Sequence, residues 1–237
     1  MQGFVDMHCH ILPAVDDGSR DYEMSCEMMR QAYQTGTRRI IFTPHYKFKY
    51  RHTSRGDLVR KLKRMREFAV NELPGMKLHL GTECLYEQDL AAKIEAGEVF
   101  TMAKSRYVLI EFLPESEYPY IRNAVYEMER YGYIPIVAHI ERYTCMTRKT
   151  ERAAELKEMG ALLQINSASV TGAIGLAVKH SCDRWLKEHV IDFIASDAHN
   201  TTTRNPQLDA CASLVARKYG SDYMEELFCT NAMEILR

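Results

Sequence analysis

No stretch of this 237-residue chain approaches the ~20 consecutive apolar residues that a bilayer span needs, so membrane insertion is not expected. The first residues carry neither a basic leader nor a long apolar run, which argues against a signal peptide. Neither sign of charge is in excess: 31 Lys and Arg stand against 32 Asp and Glu. A dedicated nucleic-acid binder shows a strong basic excess, so nucleic acid is not an expected partner. No C-x-x-C pair occurs. The seven cysteines (Cys9, Cys26, Cys84, Cys145, Cys182, Cys211, Cys229) are odd in number and scattered. They read as reduced, mostly buried thiols of a cytoplasmic protein. Repeats, low-complexity segments and Gly/Ser linkers are also missing. The expectation is one domain over residues 1–237, since α/β barrels of this length form single units. Assembly into a homo-oligomer stays open.

What the chain does have is seven short apolar runs. Each ends on, or one or two residues before, a residue able to hold a metal or an anion. They deliver His8 and His10, then His45, Glu83, Glu111, His139 and Asn166, and finally Asp197 and His199. Helix-like stretches lie between them, at 21–35, 55–73, 117–131, 151–159, 170–189 and 208–219, with a last helix from Asp222. Gly36, Pro74-Gly75, Gly132 and Gly160 supply stops. Strand and helix repeated about seven times imply parallel crossovers and a closed or nearly closed sheet. Polar groups delivered at the C-terminal ends of successive strands are how a barrel builds an active site. A doubly wound open sheet is the alternative, but its ligands come mainly from strands beside one switch point.

His8-Cys9-His10 is an H-x-H at the end of the first run. Residues i and i+2 of a strand share a face, so both imidazoles can reach one ion. Alone the motif is weak, and a lone strand histidine is more often a core residue. Asp197-Ala198-His199 repeats the spacing in the last run, and His45, Glu83, Glu111 and His139 stand at matching ends between. Buried unpaired carboxylates are costly, and metal coordination is one way to satisfy them. Mixed imidazole and carboxylate donors suit Zn²⁺, Mn²⁺ or Fe²⁺ better than Ca²⁺ alone. Asp17, in Ala14-Val15-Asp16-Asp17-Gly18-Ser19, is either a further ligand or part of a turn with an acidic helix start.

In order along the chain stand His8-x-His10-Ile11-Leu12-Pro13, Asp16-Asp17-Gly18, Thr43-Pro44-His45-Tyr46, Gly81-x-Glu83, Ala138-His139-x-Glu141-Arg142-Tyr143 and Ser196-Asp197-Ala198-His199. This set resembles the PHP (polymerase and histidinol phosphatase) superfamily. More narrowly, it resembles the bacterial manganese-dependent protein tyrosine phosphatases of capsule and exopolysaccharide operons. The resemblance implies a distorted (β/α)₇ TIM-like barrel and three metal ions, Mn²⁺ first, with Fe²⁺, Zn²⁺ or Mg²⁺ as alternatives. It implies that His8, His10, Glu83 and Asp197 hold the first ion. Glu83 then bridges to a second, completed by Glu111 and His139, and Asp17, His45 and His199 hold the third. Cys9 stands where a small residue is expected, and its side chain should point away from the ions.

The chemistry implied is in-line attack on phosphorus by a metal-held hydroxide. Arg142 and Arg204 would clamp the phosphoryl oxygens; the bland alternative for each is a surface ion pair. The substrate implied is phosphotyrosine on an autophosphorylating bacterial tyrosine kinase. Competing readings are a small-molecule phosphatase such as a histidinol phosphatase, a metal-dependent nuclease, and a barrel that binds without catalysis. A cysteine mechanism has one C-x₅-R match, Cys211 to Arg217, which lacks the glycines of a phosphate loop and reads as helix. The basic segment 47–66 is either a solvated helix face or a docking surface for acidic or multiply phosphorylated tails. The loop 47–55 is expected to border the substrate cleft. Tyr118 and Tyr120 either line the cleft or cap the next helix.

Overall fold

A slip in one strand sets up the site. The computed structural model describes residues 3–46 and 53–237, and its first strand is β1 (Phe4–Cys9). Val5 and Met7 pack with Ile41, Leu109, Ile136 and Phe193 in one apolar cluster. Cys9 belongs to a different cluster. Between Asp6 and Cys9 the register against the neighbouring strand shifts. Such an irregularity moves the alternation by one residue. Apolar Met7 lies below it, and His8 and His10 lie above it together, their Nε2 atoms 3.3 Å apart.

The remaining strands are β2 (Thr37–Phe42), β3 (His45–Tyr46), β4 (Lys77–Leu80), β5 (Glu83–Leu85), β6 (Tyr107–Glu111), β7 (Ile134–Val137), β8 (Leu162–Asn166) and β9 (Phe193–Ala195). Every ladder among them is parallel, in the orders β1-β2-β4 and β3-β5-β6-β7-β8-β9. Two apolar runs break in mid-course, one at Thr43-Pro44 and one at Gly81-Thr82. The last strand returns beside the first: His10 N–H donates to the Ala198 carbonyl and Asp197 N–H to the His8 carbonyl, both at 2.9 Å. The two sheets thus curl around an apolar interior.

The helices are α1 (Tyr22–Gln34), α2 (Arg55–Glu72), α3 (Leu90–Glu95), α4 (Tyr118–Arg130), α5 (Thr150–Glu158), α6 (Ser167–Thr171), α7 (Leu176–Lys187), α8 (Asp209–Tyr219), α9 (Ser221–Glu225) and α10 (Asn231–Ile235). Asp21 caps α1 by accepting from Met24 N–H, and Ser54 caps α2 through Asp57 N–H, each satisfying an otherwise orphaned donor. α1 and α2 cover Ile40, Phe42, Leu78 and Leu80 on the outer face. The larger outer cluster, around Trp185, Phe228 and Tyr143, covers the opposite half. α10 adds Ala232 and Ile235 to the interior cluster.

One expected element is corrected. The single helix over 170–189 is two, α6 and α7, because Gly172 (φ 91°) and Gly175 (φ 119°) take left-handed backbone between them. The last helix also passes through a wider π turn at Glu226–Thr230. No described helix is long and apolar enough to cross a membrane.

Candidate metal centre

The nine side chains singled out as ligands converge at the C-terminal ends of the strands. Their donor atoms form four overlapping groups: His10, Asp17, His45 and His199; His8, His10 and Asp197; His8, Glu83 and His139; His45, Glu83 and Glu111. Within each group all donors lie inside 4.8 Å of one another. Glu83 sits at the middle and is fully buried. Its Oε1 is 2.7 Å from His139 Nε2 and 3.3 Å from His8 Nε2. Its Oε2 is 2.7 Å from His45 Nδ1 and 3.3 Å from His10 Nε2. Asp197 Oδ1 lies 3.4 Å from His10 Nε2 and 3.6 Å from His8 Nε2. Asp17 Oδ1 lies 3.2 Å from His45 and 3.5 Å from His199. These groups cut across the threefold division implied by the resemblance. His139 clusters with His8, and His45 with Glu111, while His139 Nε2 stands 3.9 Å from Glu111.

Several imidazoles are oriented from behind. His8 Nδ1 faces Gln164 Oε1 at 3.1 Å, and His10 Nδ1 faces Asp16 Oδ2 at 2.8 Å. His199 Nδ1 faces the Asp197 carbonyl at 2.9 Å. A ring that donates Nδ1–H outward turns the Nε2 lone pair inward, the tautomer a metal requires. Gln164 Oε1 also accepts from His139 N–H at 2.8 Å, and its amide donates to Asn166 Oδ1, whose own amide donates to Asp197 Oδ2 at 2.8 Å. His139 (φ 32°) and Asp197 (φ 49°) hold left-handed backbone, which costs a non-glycine residue of order 1–3 kcal/mol and concentrates at functional sites. Gln164 at His139 N–H, and the His8 carbonyl at Asp197 N–H, pin the two positions.

The electrostatics keep the buried carboxylates charged. Burial opposes charge on Glu83, but His8 and His45 beside it hold its carboxyl well below the usual range. Burial likewise opposes ionisation of Asp197, and hydrogen bonding to His10 with the nearby charge of His8 overcomes it. Burial also opposes the imidazolium forms. Asp16 nevertheless pushes His10 up to about 10, and Glu83 pushes His45 up to about 12. Five imidazoles and four carboxylates gathered this way fit divalent transition ions, which take mixed N and O donors; Asp17 is exposed, but Glu83, Glu111 and Asp197 would otherwise be costly to bury.

Arg142 and Arg204 reach the margin of this cluster. Their Nη2 atoms donate to Asp197 Oδ2 at 2.5 and 2.8 Å. Both remain over one-third exposed and line a cleft of about 290 Å³ with Asn166, Ser167 and Gln207. Their partner is therefore a buried donor of the cluster, not a surface acid. Cys9 points away, as expected, with Sγ toward the Ile41 carbonyl.

Other expectations fall elsewhere. Cys211 lies in α8, buried, and burial pushes its thiol far up, so it is no nucleophile. All seven cysteines are free. Tyr118 fastens α4 to α5, donating to Glu155 Oε2 at 2.7 Å, and is not held in the cleft. Tyr120 donates to the Tyr86 carbonyl and packs edge-on against Tyr86 and Phe112. Of the basic segment 47–66, residues 47–52 lie outside the described residues, and with them most of the loop expected beside the cleft. Sequence reasoning missed Asp16 and Gln164. The signal for Gln164 was present: it alternates with Asn166 inside the apolar run Leu162-Leu163-Gln164-Ile165-Asn166, the i, i+2 spacing of His8 and His10.

Comparison with known proteins gives the following. The family described as capsular polysaccharide synthesis, CpsB/CapC, matches residues 4–237. The tyrosine-protein phosphatase CpsB of Streptococcus pneumoniae is 31% identical over 237 residues, covering 98% of each chain. The tyrosine-protein phosphatase YwqE of Bacillus subtilis (strain 168) is 34% identical over 239 residues, covering 98% of this chain and 91% of the relative. A crystal structure from work on YwqE of Bacillus subtilis and CpsB of Streptococcus pneumoniae, described as unique metal-dependent tyrosine phosphatases, superposes with a TM-score of 0.92. It is 31% identical and covers 98% of this chain and 94% of that one. A phosphotriesterase homology protein from Escherichia coli, at 11% identity and a TM-score of 0.61, shares the fold alone.

Proposed function

This chain belongs to the CpsB/CapC family of capsular polysaccharide synthesis, and from that membership we propose that it is a metal-dependent protein tyrosine phosphatase acting on an autophosphorylated bacterial tyrosine kinase. The carrying observation is the convergence of nine imidazole and carboxylate donors with two guanidinium groups at their edge. The nine act as one connected set, because His8, His10, His45 and Glu83 each belong to two groups. We assign three Mn²⁺ ions to them. The histidine-rich mixed donor set supports a transition ion over Ca²⁺.

Bound divalent ions supply Lewis acidity toward phosphoryl oxygens and lower the pKa of water near them. The chain's own residues do the rest. Gln164 and Asp16 fix the tautomers of His8 and His10. Arg142 and Arg204, already directed at one edge of the cluster, bind the equatorial oxygens of the phosphoryl group and hold it in line. A phenolate leaving group, with a parent pKa near ~10, needs less protonation than an alkoxide.

The same reading places the enzyme in the cytoplasm, as one domain spanning 1–237 with a seven-position (β/α) wall. Seven free thiols support the reducing compartment. The match over residues 4–237 supports the single domain. The two mid-run breaks and the Cys9–Ala198 bridge support seven positions carrying nine strand segments.

The test is phosphate release from a phosphotyrosine peptide with Mn²⁺, then with chelator, for wild type and His139→Ala. Release should require the ion and vanish in the variant. Release that survives chelation, or that is stronger from histidinol phosphate, would sink the proposal.

A further inference from the structure

Three hollows run end to end along one side of α2. The first, about 430 Å³, opens beside the metal centre between His45, Arg55, Leu58 and Phe100. The second, about 320 Å³, shares Phe100 with it and continues past Val59, Leu62 and Lys104. The third, also about 320 Å³, shares Arg66 and His79 with the second and ends at Val70 and Lys77. α2 runs antiparallel to β4 here, so the furrow passes from the C-terminal end of the strands down their flank. Residues 55 to 70 of a helix span roughly 22 Å, the length of about seven extended residues.

Its chemistry is one-sided. Arg55, Arg66, Lys77 and Lys104 line it, against the single carboxylate Glu98. Among the described residues none of these four cations pairs with a carboxylate. Arg55 donates to the Val99 carbonyl and lies over Phe100, and Arg66 donates to the Leu78 carbonyl. Burial holds His79 below its ordinary pKa, and the charges of Arg66 and Arg39 add to that effect. Val59 and Val70 stand 50% and 80% exposed on the same helix, a surface for apolar side chains between acidic ones.

We propose that this furrow seats an extended acidic segment of the same polypeptide that carries the phosphotyrosine, threading from the metal centre along α2. The proposal rests on the phosphatase reading above and adds a sequence preference to it. An acidic segment matches the unpaired cations, and continuity with the hollow at His45 makes it a neighbour of the scissile group. A neutral segment would leave those cations uncompensated, and a basic one would set like charges against them.

The experiment uses manganese-loaded protein and two phosphotyrosine peptides, alike except that Asp and Glu in the flank of one are Lys in the other. p-Nitrophenyl phosphate reports the chemistry separately. Wild type should favour the acidic peptide by roughly tenfold in kcat/KM at low salt, less at high salt. Lys77→Glu combined with Lys104→Glu should bring that ratio near one. A ratio is insensitive to partial loss of folded protein, and the wild-type preference needs no variant. Equal rates on both peptides in wild type, or a preference untouched by the double reversal, overturns the furrow. If none of the three compounds is hydrolysed, the phosphatase reading fails. Fluorescence anisotropy of the labelled peptides then decides the furrow by itself, an acidic preference supporting it and equal binding overturning it.

Discussion

Gln164 holds together two donors that lie far apart in the chain. Its carbonyl oxygen faces His8 Nδ1, 156 positions away, and accepts from the backbone of His139. Replacing it leaves His8 free to adopt either tautomer and releases the strained backbone at His139. Gln164→Ala should therefore weaken Mn²⁺ binding by roughly 10–100-fold, the usual cost of losing a partner behind a ligand. Calorimetric titration checks this, and unchanged affinity would mean the ions orient the rings unaided. Asp16 plays the matching part for His10 and also accepts from His45 N–H at 3.0 Å. Gln164 carried a positional signal in its alternation with Asn166, but which atoms it and Asp16 face was not legible in the sequence. A ligand announces itself by residue type and strand-end position, whereas a supporting partner is defined by who faces it, and that is settled only when distant strands meet.

At the scale of elements, the strands and most helix ends were legible because their causes are local. Asp21 and Ser54 precede apolar periodicity and cap it. Gly36 and Gly132 stop helices with left-handed backbone. The break between α6 and α7 was written in Gly172 and Gly175, but the apolar spacing on either side masked it. The slip in β1 was not legible at all, since it exists only relative to β2. The loop from Ala14 to Ser19 shows how tightly an element can be built. A Cβ on Gly18 would lie 2.1 Å from the His10 carbonyl oxygen, far inside contact distance. Gly18→Ala must push that loop outward and carry Asp17 away from His45 and His199. The expected outcome is one ion fewer per chain by elemental analysis, with the loss confined to the group containing Asp17. A full complement of ions would show that Asp17 is dispensable.

For the whole molecule, ions held by the proposed ligands would tie together strand ends from β1 to β9, so binding should stabilise the native state selectively. At a hundredfold excess over Kd the gain is about 2.7 kcal/mol, a rise of roughly 5–10 °C in Tm for a chain of this size. The pH dependence has a definite sign. His10 and His45 titrate at about 10 and about 12 without ions, above the ordinary imidazole value. Their own ion pairs are thus fully present below about pH 6.5 and lost only as pH rises through those values. From about pH 6.5 upward that contribution declines, and because both rings still carry their protons at pH 8, ions must displace those protons at pH 6 and pH 8 alike, which the lower proton concentration at pH 8 makes easier. The Mn²⁺-induced shift in Tm should accordingly be larger at pH 8 than at pH 6 by scanning calorimetry. A shift that grows toward acid would contradict imidazole ligation.

The seam where the last strand meets the first has a consequence for biosynthesis. Asp6 and Ser196, which bond across it, lie 190 positions apart. A ribosome adding about 5–20 residues per second emits His8 and His10 some 10–40 s before Asp197 and His199 exist. Throughout that interval the nascent chain carries a histidine pair without Asp197 and a barrel wall without its closing edge. The two donor groups that contain Asp197 or His199 are thereby completed only at the end of translation, and an incompletely synthesised copy has no complete centre with which to act.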